Sequence, residues 1–518
     1  MARTRWSAGN PGVRRPARRR GRRRRGIVLV WFALLLIVLL GFAGLVIDGG
    51  LLLSAQRRAQ NAADAAALAA AYDMYRGKST AVTTAETFVR QRNGLPDATV
   101  TVNIPPSQGP YSGETRYVEV IVNNTVSTFL VHVLGVDAQN MATARAVAGY
   151  ESVAAGEGVM VLDPTARPGL AVSGNGSIRV RGRVVVNSCG EGVDENGEPV
   201  DTNGDGDSND GIAASGGKDG PDYGVFAEVI DVVGGVDKPE LFKSISGGNS
   251  PLKCYGTEEP DPLIDLPTPT TGNGVDPTRR GNVTVTNTNV LGLNEDQGGQ
   301  NFVAEGGEVI GSGLHVATAG EVILHPGVYG SLSITGGQVY LIPGIYVVAP
   351  QQNVSDALKM TGGYVTADGV MFYNTTRSYS PDTGMPDAGD YTDKTPLPQD
   401  EYNGGFTINS GMVFTPISKD INYGSLYVGA KSVSPVFNGM LFYQRRRNAR
   451  ALEIQGNAGE GQLQGTLYAK WSLFKLAGQG TYDAQFIVGS MNCSGNGVVT
   501  ILGAGEQRGR ANAVFLVE

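Results

Sequence analysis

The chain has 518 residues, 74 of them glycine, and a formal net charge of −7. Its length allows about two to four domains, and abundant glycine without a Gly-X-Y period excludes a collagen helix. The first 25 residues contain 11 arginines and no acidic residue, and removing this +11 from −7 leaves −18 for the rest. That acidity argues against nucleic acid as a partner, and the three cysteines form no CxxC pair that would indicate zinc.

A basic arm followed by an apolar run predicts a membrane anchor. Residues 1–26 form the arginine-rich arm, and residues 27–47, IVLVWFALLLIVLLGFAGLVI, contain no charge. At helical rise this run spans about 31 Å, the thickness of a bilayer's hydrocarbon core. Because flanking arginines stay inside, we expect a single-pass cell-membrane protein with a cytoplasmic N-terminus and a periplasmic or extracellular region after Asp48. A cleaved signal peptide is the alternative, but its apolar core is shorter.

Residues 48–150 are predicted to form a small α+β module. Nine of the thirteen residues from Ala59 to Ala71 are alanine, the best helix former, so this segment should continue the anchor as a helix. Two alternating stretches, 98–104 and 116–124, predict strands. The alanines suit either a docking face for a partner or packing within the chain, and we expect packing within the chain.

The segment from the anchor into this helix resembles a known family. Within residues 26–71, the span ending in GLVIDGG, the continuation QRRAQNAADAAALAAA and the basic flank are similar to TadE/TadG-like proteins of tight-adherence (Flp) pilus assembly. Residues 72–150 resemble that family more loosely. Processed pseudopilins carry Glu at the fifth position after the cleaved glycine, and counting from Gly26 that position is Trp31. The resemblance therefore implies a retained anchor of the TadG type.

From residue 156 to residue 518, short apolar runs alternate with glycines, which predicts a large mainly-β domain. The segments 320–329 and 337–346 share G-x-V-x-L-x-P-G-x-Y at an offset of 17 residues. A second signature, Gly followed by apolar and aromatic residues, recurs at 369–373, 411–415, 439–443 and 465–469. Similar strands in one orientation favour a parallel β-helix, whose coils bury their apolar faces by stacking. A β-sandwich pair is the alternative.

Two stretches of this domain read as connections between repeats. Residues 256–280, rich in proline and threonine, are expected to form an extended strap. Residues 374–403 are expected to form an insertion on one face. The strap contains DPLIDLPTP, which resembles a stretch between β-repeat segments of larger TadG-like proteins, and the insertion is rich in Thr, Pro, Asp and Tyr.

An acidic insert, residues 190–220, contains the sharpest local motif. DTNGDGDSND at 201–210 matches D-x-[DN]-x-[DN]-G, in which oxygen ligands and a turn-forming glycine suit calcium. The twelfth position is Ile212 instead of a bidentate Glu, so the loop is not an EF-hand, and a solvated acidic turn is the alternative. The candidate calcium ligands are Asp201, Asn203, Asp205 and Asp207.

Three further features of the β-domain carry expectations. Cys189 and Cys254 bracket the acidic insert, so they are the best candidates for a disulfide outside the cytoplasm. The basic run RRR at 445–447 is expected to form a solvated turn. The tyrosines of the aromatic repeats suit a glycan-binding face or the core, and we expect the core: Tyr423, Tyr427, Tyr443 and Tyr468.

The residues leave two functions open. The first is a membrane-anchored, non-catalytic component of the tight-adherence/Flp pilus assembly system, or a related cell-envelope adhesion protein, exposing a β-helix outside the cytoplasm. Its partners would be the membrane, pilus-assembly or envelope proteins and surface glycans, with calcium as the one candidate cofactor. The alternative is an anchored β-helix enzyme acting on extracellular polysaccharide. The chain has three histidines and no GxSxG, HExxH or Walker motif, so no catalytic residue is assigned.

Overall fold

The computed structural model divides the chain into two compact units, Met1–Glu151 with Val514–Glu518, and Ser152–Ala513. The predicted basic arm lies outside the described residues up to residue 24. The last residues, which the sequence pattern places in the β-domain, lie in unit 1 because the C-terminal strand joins its sheet. The structure describes residues 25–75, 79–128, 139–154, 158–287, 290–291, 300–350, 356–387, 405–409, 412–456, 462–503 and 510–517.

Helix α1, Arg25–Tyr75, contains the predicted anchor. Its first half exposes large apolar side chains, such as Leu29 at 72% exposure, and the helix is long and apolar enough to cross a membrane. The helix continues through Gly49 and Gly50 without interruption. A glycine costs only about 1 kcal/mol in a helix interior, and a helix already formed on both sides propagates through it.

The second half of α1 buries its alanine face in unit 1. Strands β1 (Thr99–Asn103), β2 (Tyr117–Ser127), β3 (Gln139–Ala154) and β31 (Arg510–Leu516) form a sheet in that order. Helix α2 (Ala81–Thr87) and a π-helical turn, Phe88–Arg92, complete the unit. The prediction that the alanines pack within the chain is confirmed, because one core cluster joins valines and alanines of the sheet to Ala59, Ala62, Ala63, Ala66, Ala67, Ala70 and Ala71.

A buried carboxylate lies on the other face of this sheet. Glu119 is 0% exposed, and its Oε2 accepts hydrogen bonds from Ser107 Oγ at 2.6 Å and Asn103 Nδ2 at 2.7 Å. Arg145 Nε lies 2.6 Å from Oε1. Burial raises the pKa of Glu119, but the hydrogen bonds together outweigh burial and lower this pKa to about 2.

Unit 2 consists mainly of short strands, most of which join one 23-stranded sheet. The first are β4 (Val159–Val161), β5 (Leu170–Gly174), β6 (Ser177–Val180), β7 (Arg183–Val186), β8 (Gly192–Val193), β9 (Pro199–Val200), β10 (Ala214–Ser215), β11 (Gly224–Ala227), β12 (Val229–Val232), β13 (Phe242–Ser244), β14 (Leu252–Lys253), β15 (Arg279–Val285) and β16 (Val290–Leu291). The next are β17 (Phe302–Val303), β18 (Val309–Ile310), β19 (His315–Val316), β20 (Val322–Leu324), β21 (Gly327–Leu341), β22 (Gly344–Val348) and β23 (Asp356–Asn374). The last are β24 (Gly405–Asn409), β25 (Met412–Pro416), β26 (Met440–Gln444), β27 (Leu452–Gln455), β28 (Gln464–Ala477), β29 (Gly480–Gly495) and β30 (Val498–Ile501).

The 17-residue repeat pairs with itself in register. Strands β20 and β21 are parallel, with Val322 opposite Val339 and Leu324 opposite Leu341. All four side chains are buried in one hydrophobic cluster. The described strands of the repeat therefore form a parallel ladder and not an antiparallel hairpin.

Three of the four aromatic signatures also lie in one ladder. Phe372 pairs in parallel with Phe442, and the neighbouring tyrosines pair as Tyr373, Tyr443 and Tyr468 on successive strands. Ring centroids are 5.0 Å apart for Tyr373 and Tyr443 and 5.4 Å apart for Tyr443 and Tyr468. These tyrosines are at most 1% exposed, which confirms the expectation that they lie in the core.

Unit 2 begins in the middle of its own stack of strands. Strands β5 and β6 pair on one side with β29 and β30, the last strands of the unit. On the other side they pair with β10 and β11. The chain therefore extends the stack in one direction first, and must then cross to the other end.

Residues 256–280, which we call the strap, make this crossing between β14 and β15. As residue numbers rise along the strap, the residue numbers of its partners in the stack fall. Leu263 accepts a hydrogen bond from Arg446, Val275 forms a parallel bridge with Ile345, and Arg280 Nε donates to a carbonyl oxygen at position 326. The strap thus contacts the successive layers between its two ends.

We predict that Val339→Asp lowers the free energy of unfolding by about 4 kcal/mol, because it places an unpaired carboxylate in a dry ladder. Denaturant unfolding of the full-length protein in detergent measures this loss. Thr335→Asp, on the exposed face of the same strand, is the matched control and should change stability by less than about 0.5 kcal/mol. Equal losses in the two variants would contradict the inward position of Val339.

The lowered pKa of Glu119 predicts a pH dependence. Its folded pKa of about 2 lies below the ordinary glutamate pKa of 4.5, so its contribution to stability is complete above pH 4.5 and is lost as the pH falls towards 2. The difference in unfolding free energy between the wild type and Glu119→Gln should therefore be constant above about pH 5 and shrink below it. Titrated melting curves of both proteins measure it, and a difference unchanged down to pH 2 would refute the assignment.

Candidate functional site

The acidic insert begins at a buried glutamate. Glu191 is 0% exposed and forms an isolated parallel bridge with Ile212 at the other end of the motif. Strands β8 and β9 form an antiparallel hairpin between Glu191 and the loop. The carboxylate accepts hydrogen bonds from the backbone N–H of Thr202 at 3.2 Å and of Asp210 at 2.9 Å. Both ends of the acidic loop are therefore held at Glu191.

Three carboxylates converge at this loop. Glu191, Asp201 and Asp205 each place one oxygen within 4.8 Å of the other two. Several oxygen ligands at such separations suit a hard cation such as calcium. The structure thus brings together two of the four ligands that the motif predicts and adds a third from outside it.

The other two predicted ligands have partners within the loop. Asn203 Nδ2 donates to Asp205 at 3.0 Å and to Asp210 at 2.9 Å. Asp207 Oδ1 accepts a hydrogen bond from the backbone N–H of Asn209 at 3.1 Å. Neither side chain belongs to the three-carboxylate cluster.

Backbone N–H groups stabilise the ionised form of Asp201. Its two carboxylate oxygens accept hydrogen bonds from Gly204 at 2.6 Å and Gly206 at 3.0 Å. These hydrogen bonds lower the pKa of Asp201. Gly206 adopts φ = 92°, a left-handed conformation that the glycine of the motif supplies.

The motif could not identify Glu191 as a member of this cluster. Calcium-loop registers count ligands forward from Asp201, whereas Glu191 lies before the hairpin. The signal present in the sequence was only an acidic residue at the start of the insert. Its burial against the loop depends on the hairpin and on the bridge to Ile212.

The cysteines are free thiols in this structure. Burial raises the pKa of Cys189, and it raises the pKa of Cys254 to about 12. Cys493 is buried within β29, and burial raises its pKa to about 12 as well. Burial therefore favours the protonated form of all three thiols. A bond between Cys189 and Cys254 stays a prediction.

The prediction that the RRR run forms a solvated turn is wrong for its first two members. Arg445 is 1% exposed, and its Nε lies 2.5 Å from Asp387 Oδ1. Arg446 is 5% exposed and donates to the carbonyl oxygens of Leu263 at 2.7 Å and Leu266 at 2.9 Å. The physical reason is that each side chain has a buried partner: the carboxylate of Asp387 for Arg445, and carbonyl groups of the strap for Arg446.

A cavity of about 140 Å³ lies where the strap leaves the stack. Arg183 lines it between Asp231, 2.7 Å from its Nε, and Glu259, which pairs with its Nη2. The hydrogen bond that Arg183 donates to Glu259 raises the pKa of Arg183. Asn187 pairs with the backbone of Glu259 in both directions, at 2.7 and 3.0 Å. These polar groups are hydrogen-bonded to one another, and the first residues of the strap form one wall of the cavity.

Comparison with known proteins identifies the N-terminal segment. Residues 26–73 match a family described as putative Flp pilus-assembly TadE/G-like. The match lies entirely within α1 and covers both the apolar half and the alanine face. No curated protein and no solved structure matches the chain. Residues 26–73, less than a tenth of the chain, are therefore similar to the TadE/G-like proteins of Flp pilus assembly.

Proposed function

We propose that this protein is a membrane-anchored, non-catalytic component of the Flp pilus assembly system, or a related cell-envelope adhesion protein. The observation that carries the proposal is the TadE/G-like match to residues 26–73 on a helix whose first half exposes an apolar surface. Its partners are then the membrane and pilus-assembly or other envelope proteins. Unit 2 is the part of the chain left to face those partners outside the cytoplasm.

We further propose that unit 2 is a parallel β-helix. The in-register parallel pairing of the 17-residue repeat supports this architecture. So does the ladder of Tyr373, Tyr443 and Tyr468, because stacked identical residues are typical of coils that bury their faces against neighbours. A β-helix presents a long, regular surface, which suits adhesion.

The described histidines favour a non-catalytic role. His325 is 5% exposed, and burial, with Arg280 close by, lowers its pKa to about 4. A general acid–base residue needs access to substrate and a pKa near the working pH, so His325 is suited to packing. His315 lies 3.0 Å from Glu321 and stacks on a tyrosine with ring centroids 4.0 Å apart. His132 lies outside the described residues.

The alternative function is an anchored enzyme acting on extracellular polysaccharide. A screen of polysaccharides for depolymerised products separates the two functions. The non-catalytic proposal expects no products. Reproducible cleavage that a single carboxylate substitution abolishes would favour the enzyme.

We predict a cytoplasmic N-terminus, because the arginine-rich arm precedes the span. Protease added to intact spheroplasts should digest the region after Asp48, whereas a cytoplasmic marker protein in the same cells stays intact. Protection of that region would overturn the topology. The full-length chain should fractionate with membranes, and a soluble form lacking α1 would indicate cleavage instead.

We also propose that the acidic loop binds calcium weakly, as a structural ion. The convergence of Glu191, Asp201 and Asp205 supports this proposal, and Asn203 and Asp207 remain candidate ligands from the register of the motif. The lack of a bidentate Glu at the twelfth position places the affinity at the weak end for such loops. The ion would replace hydrogen bonds that now restrain the loop.

Calorimetry on the full-length protein in detergent should give a calcium dissociation constant on the order of 10⁻⁴–10⁻³ M. Asp201→Asn should weaken binding at least about tenfold, since it removes a charged ligand. Asp219→Asn is the matched control, because Asp219 pairs with Lys238 and lies outside the cluster. No calcium heat at millimolar metal would remove the proposal.

A further inference from the structure

Four neighbouring parallel strands of unit 2 place one row of side chains on the outer face of the sheet. In the order β30, β6, β11 and β13, the paired residues are Thr500, Arg179, Phe226 and Lys243. The residues that precede them on each strand are buried in the core: Val499, Ile178, Val225 and Phe242. Since side chains alternate along a strand, the first set points outward. We call it the basic–aromatic row.

Both cations of the row lie against the same ring. Arg179 Cζ is 4.2 Å and Lys243 Nζ is 5.4 Å from the centroid of Phe226, within the range of cation–π contacts. Phe226 is only 7% exposed. The row is therefore an ordered unit in which each cation has a defined position.

The two cations differ in how their donors are used. Lys243 Nζ donates to three carbonyl oxygens, of Gly220 at 2.7 Å, Pro221 at 3.3 Å and Tyr223 at 2.9 Å. Among the residues that the structure describes, Arg179 has no carboxylate partner and no hydrogen bond to its guanidinium. Its five N–H donors form a planar fork that matches a carboxylate. The contact with the Phe226 ring restrains the Arg179 guanidinium before a ligand arrives, which lowers the entropy cost of binding.

The charge of the row is opposite to the net charge of the chain that follows the basic arm. Strands β30, β6, β11 and β13 read VVTI, SIRV, GVFA and FKS, with two cations and no carboxylate. Removing the +11 of the first 25 residues from −7 leaves −18 for the rest of the chain. Asp219 already pairs with Lys238 at 2.5 Å. The exposed Asp222 lies between Pro221 and Tyr223, whose carbonyl oxygens accept hydrogen bonds from Lys243, so among the described residues Arg179 is the cation of the row without an acidic neighbour of this kind. The row is therefore a positive strip in an acidic chain and is complementary to an anionic partner.

The spacing of the cations indicates the form of that partner. Arg179 and Lys243 lie two strands apart, which is about 10 Å across a sheet. The row runs perpendicular to the strands, so a linear polymer with repeated charges can bind Arg179 directly while a second charge lies near Lys243, which attracts it by charge alone because its three N–H donors are already used. A single phosphate group can contact only one of the two cations.

We propose that the basic–aromatic row binds an acidic polysaccharide, in which a uronate carboxylate accepts a bidentate pair of hydrogen bonds from the Arg179 guanidinium. The inference deepens the proposed surface role, and it rests on that role only for the exposure of unit 2 outside the cytoplasm. Binding to purified protein is independent of topology, so the two proposals can fail separately.

The test uses the full-length protein in detergent, with the 11 arginines of residues 1–25 replaced by glutamine so that the basic arm does not bind a polyanion. Binding to immobilised polygalacturonate is followed by interferometry. Arg179→Gln should weaken binding about tenfold, the effect of losing one charge-assisted, two-pronged hydrogen bond. The affinity of Arg179→Lys should lie between those of the wild type and Arg179→Gln, because lysine keeps the charge but cannot form the bidentate pair of hydrogen bonds. Binding should also weaken as NaCl rises from about 0.05 to 0.5 M, since salt screens exposed charges.

Lys253→Gln is the matched control, because Lys253 is an exposed cation on β14 outside the row, and it should bind within about twofold of wild type. Melting curves of all variants establish that they fold. Neutral dextran should not bind. Equal binding by wild type and Arg179→Gln would overturn the proposal, as would binding to anionic phospholipid vesicles or duplex DNA with no binding to polygalacturonate.

Discussion

The strap is the constraint on which the rest of unit 2 depends. Because the unit begins in the middle of its own stack, one extended segment must cross the layers. Apart from a bridge at Val275 and its last residues beside β21, this segment pairs with no described strand, so its carbonyl groups need donors from turns and side chains. A buried carbonyl group without a donor costs about 1–3 kcal/mol. Arg446 supplies donors to Leu263 and Leu266, and Tyr379 Oη donates to the carbonyl oxygen of Pro269. The burial of these polar side chains follows from the path of the chain.

The tyrosine ladder serves the stack and the strap together. The rings of Tyr373, Tyr443 and Tyr468 pack on one another across successive strands. Their hydroxyl groups point to partners beyond the ladder: Tyr468 donates to Asp261 of the strap at 2.7 Å, and Tyr373 donates to Asp387 at 2.7 Å. A buried tyrosine needs such a partner, which phenylalanine does not. The signature therefore repeats an aromatic residue with a hydroxyl group where the strap runs.

Unit 1 uses one helix for two environments. The first half of α1 exposes leucine, valine and phenylalanine, whereas the second half buries an alanine face against its sheet. The same helix contains the whole TadE/G-like match. Unit 2 is inserted between β3 and β31 of that sheet, so both of its chain connections lead to the unit that contains the anchor. This connectivity is consistent with the proposed role of a β-domain carried by a membrane-anchored chain.

The sequence by itself determined the features that depend on local patterns. An uncharged run of bilayer length identified the anchor, alanine density identified the helix face, and the 17-residue offset placed Val322 beside Val339. Each of these signals lies within a few tens of residues, where periodicity reports burial directly. Tertiary structure alone decided which polar residues are buried. Arg446 lies 183 positions from the Leu263 carbonyl group that it binds, and Glu191 reaches its loop through a hairpin. Such groups are buried only where a distant segment supplies a partner, and no local pattern encodes the partner's position.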